Sequence, residues 1–560
     1  MTFQTFCGLM RTKGDGAGFP DVAKTTGLKP DGLKMKSVDE RVLFDDIVIN
    51  YLGDFGRYQK FIFVLVCLPC IITAMDSLSW TFSGTSIPHR CRENAEMDVN
   101  YWKPPTSALF QHSNCSLSEL QELKQCPFEE CKLGDSAGCP NGYVYETSTI
   151  VLSAIQRWDL VCDRAVLKAF IQSTYYCGQM LGSLVFGFLG DRIGRKNVFL
   201  IALTIQFFSG IGMALSPHWM MYAICRFGVG LAHPGIFVIS VVIGVELVSP
   251  KYRQLSTIGA SMAWALGQVI LGVLAYNIRD YRYLHACIAC PALVFISYKW
   301  LVPESARWLV AHKRYEEADK ILLKAARINK SNLPKNWHEQ LHYDDVATSE
   351  TPKTHHTFLD LVRTPVLRRR SLACFFCWPV CSMLYYGVSM NTTFLGGDRY
   401  WTFIFGGLVE FPSSILTYVL IDKIGRKALL VAGFTVSAVA MFSNLLIGSN
   451  YHAYVGIFQF LLTKCSITAV YQAIYVYTNE LFPTTVRNTG VGACSMMARI
   501  GAITASYLAL WLAETMGPFV MIIPFASLAI IASVVIMVCL PETAGTKLPE
   551  TISAVEGKSN

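Results

Sequence analysis

GFLGDRIGRK, residues 187–196, packs one acid, three bases and three glycines into ten positions between two long apolar runs. VLIDKIGRK, residues 419–427, writes nearly the same charged turn again. Two more matched pairs keep the same order along the chain. Glu246-Leu-Val-Ser-Pro-Lys-Tyr-Arg253 is answered by Glu480-Leu-Phe-Pro-Thr-Thr-Val-Arg487, and Pro303-Glu304-Ser305 by Pro541-Glu542-Thr543. The offsets are 231, 234 and 238 residues. Three pairs in one register mean two homologous halves.

Composition says what those halves are made of. Of 560 residues 52% are hydrophobic and 16% charged, and the mean hydropathy is +0.37. A water-soluble chain carries about a quarter charged residues, so most of this surface faces lipid. Apolar runs of about 20 residues cross a bilayer as helices, because each helix must pair its own backbone polar groups. We read twelve spans, at roughly 61–82, 166–188, 197–216, 218–243, 255–277 and 284–302, then 372–391, 401–421, 428–448, 453–478, 489–512 and 517–540. The organisation is therefore an all-α membrane protein with a polar N-terminal segment (1–59), a first six-helix bundle (60–303), a linker (304–371), a second bundle (372–541) and a tail (542–560).

Charge orients the bundles. Residues 1–59 show no apolar run near Met1 of the signal-peptide kind, so the first span is expected to act as its own targeting signal. The net charge of +8 resides in loops, which is an orienting pattern and not a nucleic-acid-binding one. The linker carries Arg307, Lys313, Arg314, Lys320, Lys324, Arg327 and the run Arg368-Arg369-Arg370, so it belongs in the cytoplasm by the positive-inside rule. With twelve spans both termini lie there too. The loop 83–165 is then extracellular. It holds Cys91, Cys115, Cys126, Cys131, Cys139 and Cys162 and the glycosylation pattern at Asn114; six cysteines outside the cell predict three disulfides, with fifteen pairings open. Asn329 fits the same pattern on the wrong side, and Asn391 lies too close to a span.

Parallel six-span repeats are a transporter architecture with a site between the halves near the midplane. In the repeated turn Gly190 and Gly194 let two helices nearly touch. Arg192, Arg195 and Lys196 hold it in the cytosol, and Asp191 faces a helix start or a base. With Glu246 and Arg253, and with Asp422, Arg426, Glu480 and Arg487 in the second half, these charges are expected to latch the halves together at the cytoplasmic end and to separate when that end opens.

These phrases resemble the major facilitator superfamily, and within it the organic cation, carnitine and organic anion transporter family. Gly53-Asp-Phe-Gly-Arg-Tyr-Gln-Lys60, Pro88-His-Arg-Cys91, Trp158-Asp-Leu-Val-Cys162, Ile278-Arg-Asp-Tyr-Arg282, PESARWL (303–309), NELFPTTVRN (479–488) and PETAGTKLPE (541–550) carry the resemblance, from about residue 44 to 552. YVYTNELFPTTVRNTGVG (475–492) is most similar to the carnitine branch. The resemblance implies exchange or uptake of small organic ions at the plasma membrane by alternating access.

Ionisable groups inside spans are costly, and each is a candidate for function. Asp76, Glu410, Lys464 and Arg499 stand out, with Asp76 placed nearest the outer water. Trp378, Tyr385, Tyr386, Tyr471 and Tyr475 could complete a cavity whose aromatic faces attract an ammonium group. Tyr471 and Tyr475 share a helix face, and Gln472 beside them resembles a cavity residue of the family. His233 beside Pro234 reads as a packed kink residue, and Trp80 and Trp511 as interfacial anchors. At the position of Arg499, strict cation transporters of the family carry aspartate, whereas carnitine-type and anion-type members carry arginine. The resemblance thus implies a zwitterionic or cationic cargo, its carboxylate on Arg499 and its ammonium on the aromatics and Glu410; organic anions, suited to Arg499 with Lys464, come second. A ligand sensor that does not transport and a sugar porter are the further alternatives. No catalytic constellation, metal cluster or cofactor is expected; coupling to sodium or protons and oligomeric state stay open.

Overall fold

The computed structural model describes residues 44–92, 131–133, 136–334, 337–340, 359–391, 398–447, 453–546 and 549–556. Twelve helical segments dominate it. In the first half they are α1 (Arg57–Leu78), α2 (Val166–Ile193), α3 (Arg195–Leu215), α4 (Trp219–Leu247), α5 (Arg253–Asn277) and α6 (Tyr281–Ala289). In the second they are α7 (Pro365–Met390), α8 (Arg399–Ile424), α9 (Arg426–Ile447), α10 (Ala453–Leu481), α11 (Arg487–Tyr507) and α12 (Phe519–Cys539). Among the described residues eleven, with the sixth counted as Tyr281–Leu301, are long and apolar enough to cross a membrane. The twelfth, α2, has the length but carries Lys168, Gln172, Ser173 and Gln179 on its buried side, so composition alone understates it.

Several expected spans differ at their ends. Pro291 starts a tight 3₁₀ stretch, Cys290–Ser297, so the sixth span is α6, that stretch and a last turn at Tyr298–Leu301. The seventh begins at Pro365, where proline suits a helix start, seven residues before the first residue expected in the span. The linker is not plain loop: Ala306–Ala311, Tyr315–Asn329 and Asp360–Arg363 are helical.

Helix packing mirrors the repeat. In the first half α2 lies on α4 and α1 on α5, and in the second α8 lies on α10 and α7 on α11. Gly178, Gly182 and Gly230 bring the α2 and α4 backbones together so closely that an added methyl would strike main-chain atoms. Between halves two seams form, α5 on α8 and α2 on α11. A rotation that exchanges each helix with the one six places on turns one seam into the other, which is the pseudo-twofold relation the repeat requires.

The described residues of the segment 83–165 lie at one end, hereafter the disulfide end. Strands β1 (His89–Cys91), β2 (Lys132–Leu133), β3 (Ser136–Ala137) and β4 (Tyr143–Tyr145) form two small ribbons, β1 with β4 and β2 with β3. Disulfides join Cys91 to Cys139 and Cys131 to Cys162. Cys115, Cys126 and Asn114 lie outside the described residues.

The repeated turns lie at the opposite end. Gly194 (φ 94°, ψ 158°) and Gly425 (φ 98°, ψ 158°) adopt one shared conformation that is essentially reserved to glycine. Glu304 Oε1 accepts from the N–H groups of Arg195 (2.8 Å) and Lys196 (3.1 Å). Glu542 accepts from Arg426 N (3.0 Å) and Lys427 N (3.1 Å). The acid that closes each helix start therefore comes from the end of the same half, 109 residues on from Arg195 in the first.

Candidate functional site

The buried charges of the second half meet at one place. Lys464 Nζ is 2.7 Å from Glu410 Oε1, and both side chains are almost wholly enclosed. Lys464 also donates to Ser389 Oγ (2.6 Å) and stands 3.8 Å above the Tyr385 ring. The Tyr385 hydroxyl donates to Glu410 Oε1 (2.8 Å) and accepts from Trp264 Nε1 (2.8 Å) of the first half. With the Gln268 amide assigned by its hydrogen bonds, its nitrogen adds a donor to Glu410 at 3.1 Å. The expectation that Glu410 receives a cargo ammonium is corrected here: Lys464 already neutralises it.

Arg499 is different. It is buried on α11, and its Nε and Nη1 have no hydrogen-bond partner. Tyr471, Tyr386 and Tyr475 interact with it electrostatically, Tyr471 also through a side-chain hydrogen bond, and no ion pair within 4 Å joins it to a carboxylate among the described residues. Those rings belong to a continuous aromatic wall. Tyr385 contacts Tyr386 and Tyr471, each at 5.2 Å between centroids. Tyr471 lies 5.8 Å from Tyr475, which meets Trp378 edge-on at 4.5 Å. The first half continues it: Tyr176 meets Tyr386 at 5.0 Å, and His233 meets Trp264 at 5.4 Å. His233 Nδ1 pairs with the Tyr175 hydroxyl (2.7 Å), which accounts for its burial. Trp378 is tied to Thr478 (3.0 Å) and Gln472 to Ser414 (2.6 Å).

The first half holds a polar cluster that the reading of spans passed over. Arg226, fully buried on α4, donates to Gln172 Oε1 (2.7 Å), Ser79 Oγ (3.0 Å) and the carbonyls of Asp76 (3.2 Å) and Ser77 (3.3 Å). Asp76 does not reach outer water: it is buried and accepts from Gln206 (2.7 Å). Trp80 is no interfacial anchor either, being buried beside Tyr222 and Arg226. An arginine inside the run MMYAICRFGVGLAHPG was visible in the sequence, at the same cost that marked the other four.

Two ends, two patterns of charge. At the disulfide end Lys168 of α2 forms an ion pair with Glu514, across the halves, and Ser86 donates to the same carboxylate (2.9 Å). Neither residue was expected, because both sit at span ends where charge is common. Phe82 stacks on Tyr400 (5.4 Å) and meets Phe403 (4.9 Å) on this side of the seam. At the turn end the charges close within each half, so the expected latch between halves is corrected. Arg195 pairs with Asp191 (3.1 Å) and Glu246 (3.4 Å). Arg426 pairs with Asp422 (2.9 Å) and Glu480 (3.1 Å). Arg192 lies on the Phe188 ring, Arg253 pairs with Asp45 (2.8 Å), and Arg487 donates to Phe482 O (3.2 Å). The reason is proximity: the ends of neighbouring helices of one bundle converge there, within reach of one arginine.

Two pseudo-symmetric bundles with buried charges at their interface define a multi-pass membrane transporter of the major facilitator fold. Residues 112–554 match the sugar (and other) transporter family. The chain is 35% identical to the organic cation transporter protein of Drosophila melanogaster over 524 residues, 91% of this chain and 94% of that one. It is 32% identical to solute carrier family 22 member 6-B of Xenopus laevis (91% and 94% covered). It is 29% identical to organic cation/carnitine transporter 2 of Homo sapiens (90% and 93% covered). In fold it is similar to the xylose transporter XylE of E. coli, with a TM-score of 0.57 at 16% identity, covering 88% of this chain and 98% of that one. The chain belongs to the organic cation, carnitine and organic anion transporter family of the major facilitator superfamily. It is a transporter and not an enzyme.

Proposed function

We propose that the cargo is a small zwitterion of the carnitine kind, moved across the plasma membrane by alternating access, with the disulfide end outside and both termini inside. One observation carries this reading: Arg499 is buried without an acid partner among tyrosine rings. A guanidinium in that setting pairs with a carboxylate through two parallel hydrogen bonds. The wall of Tyr386, Tyr471 and Tyr475 gives an ammonium aromatic faces worth about 0.5–2 kcal/mol each. A cargo with only positive charge meets an arginine that no carboxylate among the described residues pairs, while Glu410 is held by Lys464.

The test is uptake of carnitine, tetraethylammonium and para-aminohippurate into vesicles by native protein and by Arg499→Asp. Native protein is expected to accumulate carnitine or a similar betaine, and the substitution to move preference to tetraethylammonium. The same unpaired charge supports a second reading, organic anion transport. Strong aminohippurate uptake with none of carnitine decides for it. Binding of any of these without accumulation decides for a sensor.

A further inference from the structure

Gln179, midway along α2, is wholly enclosed, and neither its amide oxygen nor its amide nitrogen has a hydrogen-bond partner. Among the described residues Gln179 and Arg499 are the two side chains with a pair of buried polar atoms left unpartnered. They lie on the two helices of one seam, α2 and α11. Gly178 and Gly182 press α2 against the α4 backbone. Gln179 lies beside that contact, three residues on from Tyr176 and four from Tyr175, and so on their face of the helix. Tyr176 meets Tyr386 of the second half at 5.0 Å, and Tyr175 and Tyr176 are both within electrostatic reach of Arg499. We infer that Gln179 is a specificity residue of the first half, reading a hydroxyl group that the cargo carries next to the carboxylate held on Arg499. This rests on the reading of the cargo as a zwitterion bound through Arg499, and it adds a contact from the opposite bundle.

The physical argument is one of satisfaction. Buried polar side-chain atoms are nearly always paired, and an enclosed amide with both ends open is costly unless a ligand completes it. A role in packing alone would be filled as well by leucine, without that cost. An amide offers N–H donors on one side and a carbonyl acceptor on the other. A β-hydroxy carboxylate matches both: its hydroxyl donates to the amide oxygen, and one carboxylate oxygen accepts from the amide nitrogen while the other faces Arg499. An analogue without the hydroxyl leaves the amide oxygen unpaired when it binds, and a site built to hydrogen-bond a hydroxyl discriminates strongly against such an analogue. Because α2 and α11 belong to opposite halves, a cargo held by Gln179 and Arg499 together bridges the seam.

The experiment measures uptake of carnitine and of γ-butyrobetaine, the same zwitterion without the hydroxyl, by native protein, by Gln179→Leu and by Gln179→Met, each normalised to protein at the cell surface. Native protein is expected to favour carnitine in kcat/KM by at least about tenfold, the equivalent of about 1.4 kcal/mol. Gln179→Leu is expected to bring that ratio close to one, chiefly by raising the KM for carnitine. If Gln179→Leu does not reach the surface, Gln179→Met decides, with the same outcome expected. The ratio is the readout because a defect in folding or in the rocking of the halves lowers uptake of both betaines alike. A native ratio near one overturns the inference, and so does a ratio that the substitution leaves unchanged; in either case the reading of Arg499 stands. Accumulation of neither betaine by the native protein overturns both, and native protein alone shows it.

Discussion

Lys168 on α2 and Glu514, which follows α11, form an ion pair that ties the two halves together at the disulfide end. Lys168 is nearly enclosed, whereas the Glu514 side chain is 39% exposed. At the other end the arginines Arg195 and Arg426 spend their charge inside their own bundles. The halves are thus joined by charge on one side of the aromatic wall and not by these repeated motifs on the other. For a carrier that exposes its interface to alternate faces, this pair is a contact that must break when the disulfide end opens.

Breaking it by substitution is expected to favour opening at that end. Lys168→Met and Glu514→Gln should each raise labelling by a membrane-impermeant thiol reagent of a cysteine placed at Ser86, which contacts Glu514. Because one partner meets solvent, the coupling is modest, about 1 kcal/mol, and a double-mutant cycle should recover it. Exchange of the two charges is expected to restore low labelling. Additive effects in the cycle would mean that the pair does not hold the end shut.

Replacing Arg499 by lysine should not preserve transport. Lysine lacks the planar fork, so uptake of a carboxylate-bearing cargo is expected to fall about tenfold or more, chiefly through a higher KM. Unchanged kinetics in Arg499→Lys would argue that only net charge matters at that position.

Arg226 is expected to be structural in the first half. It satisfies Gln172, Ser79 and two main-chain carbonyls of α1. Arg226→Met strands those buried acceptors, at a cost of at least about 3 kcal/mol. Thermal unfolding of the purified protein in detergent should show a lowered Tm, with Arg226→Lys intermediate.

The turn at Gly425 should respond to acid. Burial raises the Glu542 carboxyl, but the backbone N–H groups of Ala544, Thr543, Arg426 and Lys427 outweigh it and hold the group below its ordinary value of 4.5. A depressed carboxyl stabilises the fold fully above its unfolded value and loses that contribution as pH falls through the folded one. Native Tm should therefore drop below about pH 4.5 more steeply than that of Glu542→Gln, and the two should converge in strong acid. Parallel curves would contradict the assignment. Gly194→Ala and Gly425→Ala should each destabilise by about 1–3 kcal/mol, since both glycines hold a conformation closed to other residues.

Much of this was legible in the sequence because it depends on local pattern. Apolar length announces a membrane helix, the matched turns announce two halves, and an ionisable residue in an apolar run announces cost. Arg226 announced itself in the same way and was passed over. Pairing could not be read so. Glu410 and Lys464 are 54 positions apart on helices that meet only when the second bundle packs, and Lys168 and Glu514 stand 346 apart. Whether a buried acid is free for cargo or neutralised by its own chain depends on which side chains converge within about 3 Å, a matter of helix rotation and crossing that one-dimensional pattern does not encode. The amino-acid order by itself determined a duplicated twelve-helix carrier with charges at its core; only the tertiary structure decided that Lys464 pairs with Glu410 while no carboxylate among the described residues reaches Arg499.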